Sequence, residues 1–303
     1  MVVGYPAIKE FADSAALMID AKELYPEGAV HMETIKTFDN HRKDEAVLAA
    51  AAVMIAAGGA MAGMYDELIK NNTKVLPSAD NVMYLDGKGL IGWVNNERYF
   101  IGTRELLISQ RIEPMPLAYE QEQKKGGGEI LYIARSGELV AMYIVTYSAN
   151  GRVADVLSRM ESTGVNLLIR TTDPNITADR IAKDFGISYQ NIKILEQKNS
   201  NVIRDEMIGK ERSYPAFIAT KGGVTSFGKA LTECIQTKGN ISMSVVIQLV
   251  AVILEVLVII LFGLFAGVAH IHAVPCFIYG IFWTVAILAG PAIMQRLQHN
   301  SRL

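Results

Sequence analysis

Short apolar runs that end on polar residues alternate along the first two thirds of the chain with stretches of helical spacing. Residues 15–19 are apolar and lead straight into Asp20, the pattern of a buried strand that delivers a carboxylate. Leu167, Leu168 and Ile169 form a second such run, followed by Arg170, Thr171, Thr172 and Asp173. Thr177 then opens a helical stretch through Ile181, Ala182 and Phe185 that Gly186 stops. Residues 153–163 carry the same spacing and end at Gly164, so residues 147–187 predict alternating β and α units around a parallel sheet.

The intervening segment has a different texture. Residues 44–69 read as alanine- and methionine-rich helices, with the methionines filling core gaps rather than binding copper. Residues 129–145 read as a hairpin turning at Ser136 and Gly137. The run 120–128 is polar and glycine-rich, which predicts a mobile connection. Gly87, Lys88 and Gly89 lie between β-like runs and admit two readings. Glycine lets backbone amides come close to a ligand, and it also supplies the positive φ of a tight turn.

The carboxy-terminal pattern is that of a membrane segment. Residues 245–268 are apolar except for Gln248 and Glu255, and residues 275–294 carry no charge. The linker 269–273 is too short for a domain, so the two predict a helical hairpin. Lys229 and Lys238 precede the first span, and Arg296 and Arg302 follow the second. That places both termini and the soluble lobes in the cytoplasm of a multi-pass protein of the cell membrane. Residues 1–3 lead directly into the first folded element, with no signal peptide. Glu255 lies near the middle of its span, where a bare carboxylate costs roughly 2.5–3.5 kcal/mol on insertion scales. Its compensation would come from Gln248, from Thr284 on the second span, or from a helix outside the hairpin.

Composition narrows the choice of chemistry. A chain of 303 residues, half of them hydrophobic and with a net charge of −2, has room for two compact lobes and a membrane part but no basic tract for nucleic acid. Cys234 and Cys276 are far apart and lack a C-x-x-C partner, so neither a disulfide framework nor a zinc site is expected, and no other metal-ligand cluster stands out. Asp20, at the carboxyl end of a strand, is placed to act as a nucleophile, to hold a cation, or simply to cap a turn.

Taken together, Gly4 through Asp20, the Gly87–Lys88–Gly89 segment continued by Tyr99 to Leu107, and Thr171–Thr172–Asp173 with its following helix resemble the P-type ATPases of the haloacid-dehalogenase superfamily. Within them the resemblance is to the heavy-metal cation-transporting subfamily, and it covers nearly the whole chain. It implies an α/β fold: a HAD-like (Rossmannoid) phosphorylation-type domain of residues 1–36 and 147–240, an inserted α+β nucleotide-binding-type domain of residues 37–146, and a transmembrane hairpin with a short cytoplasmic tail at 241–303. It implies Asp20, Thr171, Asp173 and Lys198 as catalytic positions, Gly87 and Gly89 as nucleotide-binding ones, and ATP with Mg²⁺ as cofactors. Lys198 also reads as an ordinary surface lysine.

The departures from that family are chemical. Asp20 is followed by Ala21, Lys22, Glu23, Leu24 and Tyr25 where the family has the hydroxyls and glycine that cradle phosphate, and Glu23 would repel a phosphoryl group. The histidine-proline pair of the nucleotide domain is replaced within residues 57–62. The aspartate and arginine expected near the end of that domain fall on Tyr147 and Asn150. Residues 216–227, at the family's magnesium site, hold no carboxylate. ATP and Mg²⁺ are therefore both in doubt for this chain. The resemblance implies an actuator domain and earlier membrane helices before residue 1, or their supply by another subunit, and so a fragment or shortened form. The alternatives are a membrane-bound pseudoenzyme acting as a binding or regulatory module and, last, a HAD-type phosphatase, whose second acid is replaced by Lys22.

Overall fold

The computed structural model describes residues 2, 4–38, 43–68, 76–208, 218–266 and 273–300. In chain order the elements are α1 (Gly4–Ala12), β1 (Ala16–Asp20), α2 (Ala21–Leu24), β2 (Val30–Thr37), α3 (Lys43–Ala57), α4 (Ala62–Leu68), β3 (Ala79–Leu85), β4 (Gly89–Val94) and β5 (Glu97–Gly102). There follow α5 (Arg104–Ser109), α6 (Leu117–Gln123), β6 (Glu129–Arg135), β7 (Glu138–Tyr147), α7 (Gly151–Ser162), β8 (Asn166–Arg170), α8 (Ala178–Phe185) and β9 (Ile192–Ile194). The chain closes with α9 (Gln197–Ile208), α10 (Gly223–Leu261) and α11 (Ala273–Asn300). These fall into two compact units, residues 14–214 with 220–229, and residues 1–13, 215–219 and 230–303.

The larger unit is a mixed helix and sheet structure with two sheets. β1, β8 and β9 form a parallel sheet in the order β1-β8-β9, with Asp20 opposite Arg170 at the carboxyl end. The local signals that predicted it are present: Thr177 caps α8 by accepting the Arg180 amide at 3.2 Å, and Gly186 ends it in the left-handed region. Between β1 and β8 the chain builds a six-stranded antiparallel sheet, ordered β2-β7-β6-β5-β4-β3. β2 pairs along β7, so this sheet already begins at Val30. Its hairpins turn through Asn95 and Asn96 and through Ser136 and Gly137, all with positive φ, the geometry that matches strand twist.

Both faces of the antiparallel sheet are covered. α3 lies on one, its alanines allowing so close an approach that a Cβ at Gly92 would come within 2.9 Å of Val53 Cγ2. On the other, Leu106 and Leu107 of α5 pack with Ile91, Phe100, Ile130 and Tyr132. The segment 120–128, expected to be a mobile connection, instead starts in α6 and continues as a 3-10 turn at Lys124–Gly126. Glu120 is buried there, takes a 2.7 Å ion pair from Arg104, and accepts the Tyr132 hydroxyl. A residue that looks like part of a solvated run is thus the anchor of α6 on the sheet.

In the smaller unit, Val2 bridges to Ile218 and Asp13 is ion-paired with Lys238. α10 and α11 are two helices long and apolar enough to cross a membrane, and their apolar side chains are largely exposed. They pack on each other through a Tyr279 hydroxyl bond to the Ala251 carbonyl at 2.5 Å, and at Gly290, where a Cβ would meet Ile247 Cδ1 at 2.8 Å. Residues 267–272, including most of the expected linker, lie outside the described residues.

Candidate functional site

Parallel register sets the first pair of groups. Because β1 and β8 end side by side, Arg170 presents Nη2 and Nε to Asp20 Oδ2 at 2.5 and 3.0 Å. The other carboxylate oxygen, Oδ1, accepts the Lys22 amide at 3.1 Å and so caps the single turn of α2. Asp20 therefore fills the turn-capping role weighed for it, with a guanidinium attached. Glu23, one turn on, points toward the first residue of α10: a Cβ on Gly223 would lie 3.7 Å from its Oε2. A carboxylate there suits the positive end of a helix dipole.

Thr171 and Asp173 are buried at the mouth of β8. The Thr171 hydroxyl accepts the Asp173 amide at 2.9 Å, Asp173 Oδ1 accepts the Asn175 amide at 2.9 Å, and Asp173 Oδ2 accepts the Tyr147 hydroxyl at 2.6 Å. Burial pushes the Asp173 carboxyl up to about 6, against those two hydrogen bonds and the Arg180 charge. Burial likewise drives the Tyr147 phenol far above its ordinary range, so it stays protonated and donating.

Arg180 completes this cluster. Its guanidinium carbon stands 4.6 Å from the Tyr147 ring centre, and Nη2 reaches Glu129 Oε1 at 2.5 Å. Burial works against the charge of Glu129, yet Lys124 and Arg180 hold its carboxyl below the usual range. Tyr25, directly after α2, packs edge-on against Tyr147 and Phe185 and donates to Asp184 at 2.7 Å. Space that small residues would leave open after Asp20 is occupied by Leu24 and Tyr25, both fully buried.

Gly87, Gly89 and Lys198 belong to a different place. Gly87 has φ +66° in the β3–β4 turn, and a Cβ at Gly89 would fall 2.5 Å from Gly102 Cα and onto the Ile101 carbonyl oxygen. The hairpin reading thus accounts for both glycines. Asp86 beside them accepts the Gln197 amide at the start of α9 at 2.8 Å. Lys198 follows, exposed, and the described bonds of Asp20, Thr171 and Asp173 do not include it. Asn150 caps α7 by accepting the Arg152 amide at 2.9 Å. Residues 58 and 59, in the stretch where the resemblance would put a histidine-proline pair, abut the same loop as Asp173: Thr172 Oγ1 donates to the Gly58 carbonyl at 2.6 Å, and a Cβ on Gly59 would strike that hydroxyl.

The donor set does not fit a magnesium ion. Asp20 is engaged by a guanidinium, Asp173 is enclosed by a phenol and an amide, and residues 218–227 offer no carboxylate; residues 216 and 217 lie outside the described ones. Among the described residues no cluster of His, Cys, Asp or Glu is gathered to hold a metal. Arg170, Arg180, Glu129 and Tyr25 were not among the expected site residues. The signal that could have found Arg170 is that it ends the strand flanking the one that ends on Asp20.

A copper-exporting P-type ATPase of Legionella pneumophila is 22% identical over 200 residues, 66% of this chain and 27% of that protein. A copper-transporting P-type ATPase of Rhizobium leguminosarum bv. viciae is 22% identical over 226 residues, 74% of this chain and 26% of the relative. The chain resembles part of the heavy-metal P-type ATPases. It spans only about a quarter of the length of these relatives, as the 27% and 26% coverages show. No protein-family model matches it. Among solved structures, a zinc-transporting PIB-type ATPase aligns with 96% of this chain and 51% of its own at 17% identity and TM-score 0.37. The catalytic domain of a CPx-ATPase aligns over 69% and 72% at 11% identity and TM-score 0.40.

Proposed function

We propose that this chain is a membrane-held module on the plan of the catalytic portion of a heavy-metal P-type ATPase, with phosphoryl transfer lost and a binding or regulatory role retained. The observation that carries this reading is the pairing of Asp20 with Arg170. A carboxylate that attacks phosphorus needs an open approach and a cation bridging it to the phosphate. Here the cation is a side chain bonded to the would-be nucleophile. The residues that could bring Mg²⁺ are replaced or already bonded elsewhere.

What these residues do is hold the loops of the two sheets together. Thr172 to Gly58, Asp86 to Gln197 and Arg180 to Glu129 are three polar ties between elements around the parallel sheet and elements around the antiparallel one. A pump cycle relies on domain rearrangement, and ties of this kind favour one arrangement. The domain limits given above, a HAD-like core of 1–36 and 147–240 around an insert at 37–146, are part of this proposal. So are the membrane hairpin, the cytoplasmic placement of the termini, and partnership with actuator and membrane segments or with another subunit.

The test is acid-stable phosphorylation of the purified full chain by labelled ATP with Mg²⁺. No label dependent on Asp20 is expected. Label that disappears in Asp20→Asn would overturn the proposal and restore the chain to the phosphorylating class.

A further inference from the structure

We infer that Arg180 is a pH-dependent latch between the two sheets: it holds Glu129 while Asp173 is protonated and turns toward Asp173 when that carboxyl ionises. The latch uses none of the contacts of Asp20, so it stands whether or not Asp20 accepts phosphate. Arg180 lies on α8, beside the parallel sheet, and Glu129 on β6 of the antiparallel one, so their 2.5 Å contact crosses from one to the other. The guanidinium carbon rests 4.6 Å from the Tyr147 ring centre, and the hydroxyl of that ring reaches Asp173 Oδ2 at 2.6 Å. One aromatic ring thus separates the cation from a carboxyl group that has no exposed surface.

Arg180 serves more than one acid, since Asp184 on its own helix also faces it at 3.8 Å. Glu129 has a second cation, Lys124 Nζ at 2.9 Å, which comes from the antiparallel side of the joint. It can therefore release Arg180 without being left unpaired. The described bonds of Asp173 bring it a phenol and an amide but no cation. Attraction between charges is stronger where water is excluded, so an ionised Asp173 outbids Glu129, whose side chain is 30% exposed. Sliding along the face of Tyr147 lets the guanidinium keep its ring contact as it turns. Around Asp173 also stand Tyr147 on β7, Tyr25 after α2 and Tyr84 on β3, and burial drives all three phenols upward, so they stay uncharged. Glu129, whose burial is outweighed by its two cations, is ionised at pH 5. Asp173, which burial lifts to about 6, changes charge between pH 5 and pH 8. The bond from Thr172 to Gly58 carries no charge, so the joint loosens without coming apart.

The experiment is a double-mutant cycle on the full chain in mild detergent, Arg180→Met against Glu129→Gln, read from urea unfolding at pH 5 and pH 8. Coupling between the two should multiply the folding constant about tenfold at pH 5 and by less than about twofold at pH 8. In an Asp173→Asn background it should stay about tenfold at both. Lys124→Met, a change at a side chain 45% exposed, tests the hand-over separately and decides the question should Asp173→Asn not fold. With no other cation for Glu129, the coupling should survive at pH 8. Equal coupling at the two pH values in the parent overturns the inference, as does a fall that persists in Asp173→Asn or in Lys124→Met.

Discussion

Replacing Asp173 by Asn should flatten the dependence of folding stability on pH. The Asp173 side chain is fully buried, and its carboxyl rises from 3.8 to about 6 because burial penalises the charge. A carboxyl that holds its proton more tightly in the folded chain stabilises the fold below its unfolded pKa, and that contribution is lost as pH rises through the folded value. The window therefore runs upward from about pH 4 through about pH 6, and a shift of about two units corresponds to about 3 kcal/mol. Asn keeps one oxygen for the Asn175 amide and can offer its own amide to the Tyr147 hydroxyl oxygen, so it fits the site without the charge. Glu129 works in the opposite sense: its pKa is held low, so its contribution is present above the unfolded pKa and fades as pH falls through the folded value. That effect is common to both proteins and cancels in their difference. Urea unfolding of the full chain in mild detergent, followed by circular dichroism, should show Asp173→Asn gaining on the parent by about 3 kcal/mol between about pH 4 and pH 7. A difference constant with pH to within about 0.5 kcal/mol would refute the reasoning.

Gly87→Ala and Gly89→Ala should part company. The first meets no atom within 4 Å and bears only its positive φ, about 1 kcal/mol, whereas the second collides with the β5 backbone and should lose about 3 kcal/mol or more; equal losses in urea titration would contradict the packing described. Glu120→Ala strips both Arg104 and Tyr132 of an acceptor and should cost about 3 kcal/mol, with Glu120→Gln recovering part of it in the same assay. Thr172→Val removes the bond to Gly58 and should lower stability by about 1 kcal/mol while speeding amide exchange around residues 58–60, and unchanged exchange there would argue against the tie.

The elements set by neighbouring residues were legible in the sequence. β1, β8, the capped α8 and the Ser136–Gly137 hairpin follow from apolar runs and turn chemistry within a few positions, and the structure has them all. That Asp20, Thr171 and Asp173 stand at or just beyond strand ends was legible from the apolar runs before them, and β1 and β8 are neighbours in the parallel sheet. The Arg170–Asp20 pair was not legible, since it depends on register between strands 150 residues apart. Glu120 was misread because its partners Arg104 and Tyr132 sit on separate elements and give a polar run no local mark of burial. Gly87 read either as a nucleotide contact or as a hairpin turn, and Lys198 either as a phosphate-side lysine or as an ordinary surface one. In the structure their neighbourhoods meet each other, through Asp86 and the Gln197 amide.

The interruption of the parallel sheet by the antiparallel one imposes an order of assembly. β1 leaves the ribosome before β8, and the whole six-stranded sheet separates the two partner strands in the chain. Closing so long a loop from a disordered chain is entropically unfavourable, with each doubling of length adding about 0.6 kcal/mol. Once β2 and β7 have zipped, Val30 and Tyr147 stand opposite one another and the remaining search is confined to the short connections on either side. The parallel sheet thus inherits its timing from its neighbour. A lesion confined to the β4–β5 contact, such as one at Gly89, would leave Asp20 and Arg170 as two separate exposed charges for longer in the life of the nascent chain, well before it altered any bond between them.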